Sequence, residues 1–182
     1  DELIGRIHDR RPDIVLEPKE AIFRIYRDIR FSKDKTPYKT HMSAYIARGG
    51  RKNMRDPGLY IQFGGDDARI YSGLYMIDKN DLLSLRRHIA SFPDEFDRLI
   101  NDQSFQAMFG EIQGEKNKIL PAEFREAVKH QPLLANKNFY FFASYDPEML
   151  LREDLPEFVM THYDTARPLN SFLAEALDNP VI

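Results

Sequence analysis

The segment Phe23-Arg24-Ile25-Tyr26-Arg27-Asp28-Ile29-Arg30-Phe31-Ser32-Lys33-Asp34-Lys35-Thr36-Pro37-Tyr38-Lys39 concentrates the residues best able to do chemistry. Guanidinium forks match the paired oxygens of phosphate or carboxylate, and ammonium groups add point charge. Arg24, Arg30, Lys35 and Lys39 are therefore candidate anion binders, with His41 close by in sequence. Asp28 or Asp34 would orient these cations or act as a base, and Tyr26, Tyr38 and His41 could donate or carry protons. The chemistry expected is recognition of a small anionic or phosphorylated ligand. Turnover is left open, with Asp28, Asp34 and Tyr38 as the catalytic candidates. A structural or interaction module, in which an Arg-Asp network pins the segment together, is the alternative, and weak nucleic-acid contact ranks last.

The elements that must position these side chains follow from periodicity. From Ala21 to Phe31 apolar residues alternate with polar ones, which predicts a strand carrying Phe23, Ile25, Ile29 and Phe31 on one side and Arg24, Tyr26, Asp28 and Arg30 on the other. Arg27 falls among the apolar residues. A charge pressed on a core needs a partner, so Arg27 is expected to make a structural ion pair. Asp28 shares its face with Arg24 and Arg30. Pro37 disfavours helix at Thr36 and makes the stretch after Phe31 turn-like, and a second strand is predicted from Tyr38 to Ala47.

Further along, Leu59 to Phe63 and Ala68 to Met76 flank Gly64-Gly65-Asp66-Asp67, a hairpin signal. Asp78 reads as a helix N-cap, with Asp81 in the capping-box position. Pro93 opens a helix at its tolerated first-turn position, and Gly110 or Gly114 closes the helical region. Arg86, near the apolar stripe of the Asp78 helix, is expected to snorkel at its margin. Gly73 would permit a bulge or close backbone approach. Residues 138 to 145 predict a late aromatic strand, in which Tyr140 packs in the core. Pro156 and Pro168 are expected to start successive late helices. Strands followed by helices, without repeats or linkers, predict an α+β fold: a single domain over residues 1–182, with a mainly antiparallel sheet and helices packed on one face.

Composition narrows the function classes. With 182 residues, 42% of them hydrophobic, the chain can bury roughly 70% of its unfolded surface in one core. It holds no cysteine, which removes disulfides, thiolate nucleophiles and cysteine-ligated metal, and the cytoplasm is the expected compartment. His8, His41, His88, His130 and His162 form no pair at ligand spacing, so no metal is predicted. The Gly49-Gly50 loop lacks the order of a nucleotide-binding glycine motif, and no cofactor is predicted. No apolar run reaches membrane-spanning length. Residues 1 to 60 carry 14 Lys or Arg against 9 Asp or Glu, and the remainder 12 against 20. Interleaving of the two halves, with mutual neutralisation, is the expected outcome.

Arg24, Arg27, Asp28, Arg30 and Phe31, followed by Asp34, Lys35 and Tyr38, resemble the hallmark of the bacterial conserved-hypothetical family called domain of unknown function 2461, Arg-x-x-Arg-Asp-x-Arg-Phe and then Asp/Asn-Lys-x-x-Tyr. Gly58-Leu59-Tyr60, Gly73-Leu74-Tyr75 and Leu85-Arg86-Arg87-His88-Ile89 extend the likeness over most of the chain. The family commonly opens with a helical segment bearing Asn-Asn and Trp-Phe. The resemblance implies that such a segment is missing here. It carries no assigned reaction.

Overall fold

Three strands form a meander, and the turn between the second and third is locally encoded. A computed structural model of the protein describes residues 1–31, 33 and 35–178. Strands β1 (His41–Ile46), β2 (Leu59–Gly64) and β3 (Ala68–Leu74) follow one another, and β4 (Phe139–Tyr145) returns beside β3 after a helical excursion. The sheet order is β1-β2-β3-β4 and every pairing is antiparallel. The Gly64–Asp67 tetrad makes the expected hairpin, closed by Gly64 N donating to the Asp67 carbonyl at 2.9 Å.

Among the described residues there are seven α-helices: α1 (Glu2–Arg10), α2 (Pro18–Ala21), α3 (Lys79–Ser91), α4 (Pro93–Ile100), α5 (Gln103–Phe109), α6 (Ala127–His130) and α7 (Leu155–Asp178). Their ends follow the sequence signals. The Asp78 carboxylate accepts from the amides of Asn80 and Asp81 at 2.8 and 3.0 Å, Pro93 opens α4, and Gly110 ends α5 at a φ of 66°. The Asp81 carboxylate itself holds Arg55. None of the described helices is long and apolar enough to cross a membrane.

α7 packs across β3 and gathers α1, α3, α4 and α5 around it. Leu59, Ile61, Ile70, Leu74, Phe139 and Phe141 point to this helical layer and are buried. The helices lie on one face, as predicted for an α+β domain.

Three local expectations are corrected. Pro168 lies inside α7, so the late helices are one. Proline forfeits one hydrogen bond there, but Val159, Met160, Tyr163, Ala166, Leu169, Phe172 and Leu173 stay buried along both halves, and that packing outweighs the lost bond. Arg86 does not snorkel. It is buried and donates to the carbonyls of Leu134 and Asn136 at 2.8 and 3.1 Å, which ties α3 to the turn before β4.

The third correction concerns Ala21 to Phe31, which forms no continuous strand. Pro18 and reciprocal capping by Glu17 and Glu20 carry a helical turn through Ala21. The chain then touches β1 at one bridge, Ile22 to Ala44, and by Phe23 N donating to the Ser43 carbonyl. Beyond this point Ile25 to Arg27 pair back with Pro37 to Lys39 to form an arm, through Lys39 N to the Ile25 carbonyl and Arg27 N to the Pro37 carbonyl. Among the described residues no apolar layer covers the arm, and Phe31 is 94% exposed. Alternation specifies a two-faced strand only where a core lies on one side.

The charged halves interleave. Arg10 meets Asp164 at 2.7 Å, Arg48 meets Asp178 at 3.0 Å and Arg55 meets Asp81 at 2.8 Å, with Arg6 on Glu157.

Two buried histidines make stability depend on pH. The His162 Nδ1 donates to the Phe158 carbonyl at 2.8 Å, which leaves Nε2 to accept from the Tyr145 hydroxyl. His88 is wedged between the rings of Phe92 and Phe172. Burial holds both imidazoles below the ordinary histidine range. The unfolded chain then binds more protons than the folded one, so stability is lost as pH falls below about 6.5. Each histidine contributes a slope of at most about 1.4 kcal/mol per pH unit. Urea denaturation from about pH 7 to about pH 5 should show this loss, and His162→Gln should flatten it; a pH-independent midpoint would refute the assignment.

Candidate functional site

The sheet face opposite the helices is built by the alternate residues of each strand. On it stand two cross-strand rows. Tyr45, Tyr60, Tyr71 and Phe142 pair successively from β1 to β4, and Ser43, Gln62, Arg69 and Ser144 do so one step along. The rings touch: Tyr60 and Tyr71 are 5.5 Å apart in a T-shaped arrangement, Tyr71 and Phe142 are 5.0 Å apart, and Tyr140 meets Tyr75 at 5.4 Å.

This face holds a cleft of about 450 Å³. Tyr60, Tyr71, Tyr75 and Tyr140 line it together with Phe23 and Met54, while Lys39, Ser43 and Gln62 supply polar groups. The base of the arm forms one wall, because Phe23 packs edge-on against Tyr60 and the Lys39 ammonium lies 5.6 Å from the Phe23 ring centre. Gly73 forms part of the floor. Its φ of 91° and its close approach to β4 fit the bulge or contact expected of it, since an added Cβ would stand 2.2 Å from the Phe139 carbonyl oxygen.

The opposite wall is the loop after β1. Asp56, buried, accepts from the Arg48 amide and guanidinium, each at 3.0 Å, and its carbonyl receives the Tyr45 hydroxyl. Burial raises the Tyr45 hydroxyl pKa, with the Asp56 charge adding to it, so this phenol stays neutral.

The residues singled out from the sequence do not converge on the cleft. Among the described ones only Lys39 lines it. Arg24 and Arg30 are exposed on the arm, and Lys35 donates to the Ile29 carbonyl at 2.8 Å. Asp28 takes both guanidinium nitrogens of Arg30 at 3.0 and 2.7 Å, which, with the Arg30 amide and the Arg24 charge, holds its carboxyl below the usual range. Such an exposed pair is screened by solvent and adds little to stability. Tyr38 rests against Tyr26 at 5.3 Å, and His41 lies in a shallow depression beside Thr40 and Phe63. Arg27 is half-buried and donates to the Thr36 hydroxyl at 2.6 Å, joining the two limbs of the arm. Asp34 lies outside the described residues.

Tyr60, Gln62 and Tyr71 are among the cleft residues that the sequence reading missed, while Tyr140 was assigned to the core and lines the cleft instead. Their signal is the polar or aromatic residue at every second position, Tyr60-x-Gln62 and Tyr140-x-Phe142-x-Ser144, opposite the apolar set. Among the described residues no three His, Cys, Asp or Glu side chains gather in a group able to hold a metal ion.

No curated protein and no solved structure matches the chain. A family model described as conserved hypothetical protein (DUF2461) matches residues 1–172, so the chain belongs to that family.

Proposed function

We propose that the protein binds a small, flat, anionic molecule in the tyrosine-lined cleft, its ring against Tyr71 and its negative group on Lys39. The observation that carries this reading is the open aromatic face with a single cation at its edge. A cleft of this volume, mostly apolar with a few convergent polar groups, has the make-up of a small-molecule site. Ser43 and Gln62 can hydrogen-bond the ring substituents. Arg24 and Lys35 serve as a field of positive charge that raises the local concentration of anions rather than as direct ligands.

Binding, rather than turnover, is the function proposed. Asp28 and Tyr38 stand on the arm, and neither is among the residues that line the cleft. The scaffold reading of the motif is the weaker one, because the Asp28–Arg30 pair is exposed.

A thermal-shift panel of nucleoside monophosphates, aromatic carboxylates and sugar phosphates tests the reading. A true ligand at about 100 times its Kd stabilises by about 2.7 kcal/mol, a shift of about 5–11 °C for a chain of this size. Lys39→Met should weaken that ligand about tenfold or more. Silence across the panel, or an affinity indifferent to Lys39, refutes it.

A further inference from the structure

The aromatic rows extend past the cleft, and this extension points to a ligand longer than one ring. Phe142 stands outside the cleft lining but continues the row from Tyr71, tilted only 32° to it. With their centres 5.0 Å apart the two rings pack on one another, so the pair offers one planar base a single braced ring face to stack on. Tyr140, 6.5 Å from Tyr71, offers the next, braced edge-on by Tyr75.

Charge lies on the arm, which joins the same sheet at β1. Residues 23–39 hold six Lys or Arg against two Asp, and among the described residues Arg24, Lys33 and Lys39 enter no ion pair. Elsewhere the arginines of the first half are largely committed to carboxylates: Arg6, Arg10, Arg11, Arg48 and Arg55 all are. Uncompensated positive charge therefore sits on the arm, and Lys39 carries it to the tyrosine face. Arg69, on the sheet next to Phe142, sits 5.7 Å from that ring centre and keeps Asp67 as its partner.

We propose that the open sheet face binds single-stranded nucleic acid, with successive bases stacked on Tyr71–Phe142 and on Tyr140 and the phosphates running toward the basic arm. An aromatic sheet surface with adjoining cations suits a single strand, because every base has a face to stack and every linkage a phosphate to neutralise. A duplex hides its base faces and does not fit. The inference rests on the cleft reading above and names its ligand class: the flat anion is a nucleotide, and the strand is its continuation.

Fluorescence anisotropy with an oligothymidylate of about eight nucleotides, alongside calorimetry with thymidine monophosphate, tests it. The oligomer should bind about tenfold or more tightly than the monophosphate, and its affinity should fall with salt at about 0.7 log units per log unit for each phosphate held. Tyr140→Leu, which keeps apolar bulk but loses the stacking ring, should weaken the oligomer about fivefold or more. Arg24→Glu with Lys33→Glu, on the exposed arm where the sheet is not strained, should weaken it and flatten the salt dependence. If the oligomer binds no better than the monophosphate, this inference fails and the cleft reading stands. Equal affinity for a duplex or for polyglutamate of similar length also overturns it. If neither nucleotide nor oligomer binds while an aromatic carboxylate does, the strand is refuted and the cleft survives; if no member of the panel binds, both fall.

Discussion

Gly73→Ala is expected to destabilise the protein by about 3 kcal/mol or more, lowering its Tm by about 6–12 °C. Two costs combine. The φ of 91° at Gly73 lies in a region where a side chain is strained, and that strain alone costs about 1–3 kcal/mol. The new Cβ would also stand 2.2 Å from the Phe139 carbonyl oxygen and 3.0 Å from the Tyr140 Cα. Both are backbone atoms of β4, so relief requires parting β3 from β4. That pairing carries Phe139 and Phe141 into the core and Tyr140 into the cleft, so ligand affinity should fall with stability. Gly65→Ala is the matched control. Gly65 lies in the β2–β3 turn without a positive φ, and a Cβ there meets nothing within 4 Å. Equal melting temperatures for the two variants would overturn the argument.

Asp56→Ala is expected to cost about 2–4 kcal/mol in urea denaturation. The Asp56 side chain is 2% exposed and satisfies both the amide and the guanidinium of Arg48. Its removal leaves a partly buried N–H without an acceptor, and Arg48 keeps only Asp178. Arg11, 4.0 Å from the same carboxylate, loses a neighbouring charge. The wall bearing Tyr45 and Met54 should loosen, which weakens ligand as well as fold. Asp56→Asn keeps the shape and one acceptor and should recover about half the loss. Because the two residues act as a unit, Asp56→Ala combined with Arg48→Ala should cost clearly less than the sum of the single changes. Additive losses, or an Asp56→Ala midpoint within about 0.5 kcal/mol of the parent, would remove the network from this role.

The sequence was legible wherever a feature depends on neighbours along the chain. The Gly64–Asp67 hairpin, the Asp78 cap, Pro93 at the start of α4 and Gly110 at the end of α5 each arise from one residue's backbone preference or one short-range hydrogen bond. Pro168 shows the limit of the same reasoning. Its local cost is real, yet a buried stripe on both sides of it binds α7 into one helix. Arg86 shows another, since nothing near it in sequence tells that the carbonyls of Leu134 and Asn136 will be within reach.

The site divides along the same line. By itself the sequence determined that an α+β chain without cysteine would concentrate its cations in one segment, and that this segment would alternate apolar and polar residues. Only the tertiary structure decided that the segment is an arm with no core beneath it, so that Ile25 and Phe31 are exposed and Arg24, Asp28 and Arg30 do not line the cleft. Only the tertiary structure brought Lys39 and Phe23 to the tyrosines of β2, β3 and β4. The physical reason is that a sheet face belongs to no single strand. Each strand supplies one ring at every second position, and register between strands distant in sequence sets which rings become neighbours.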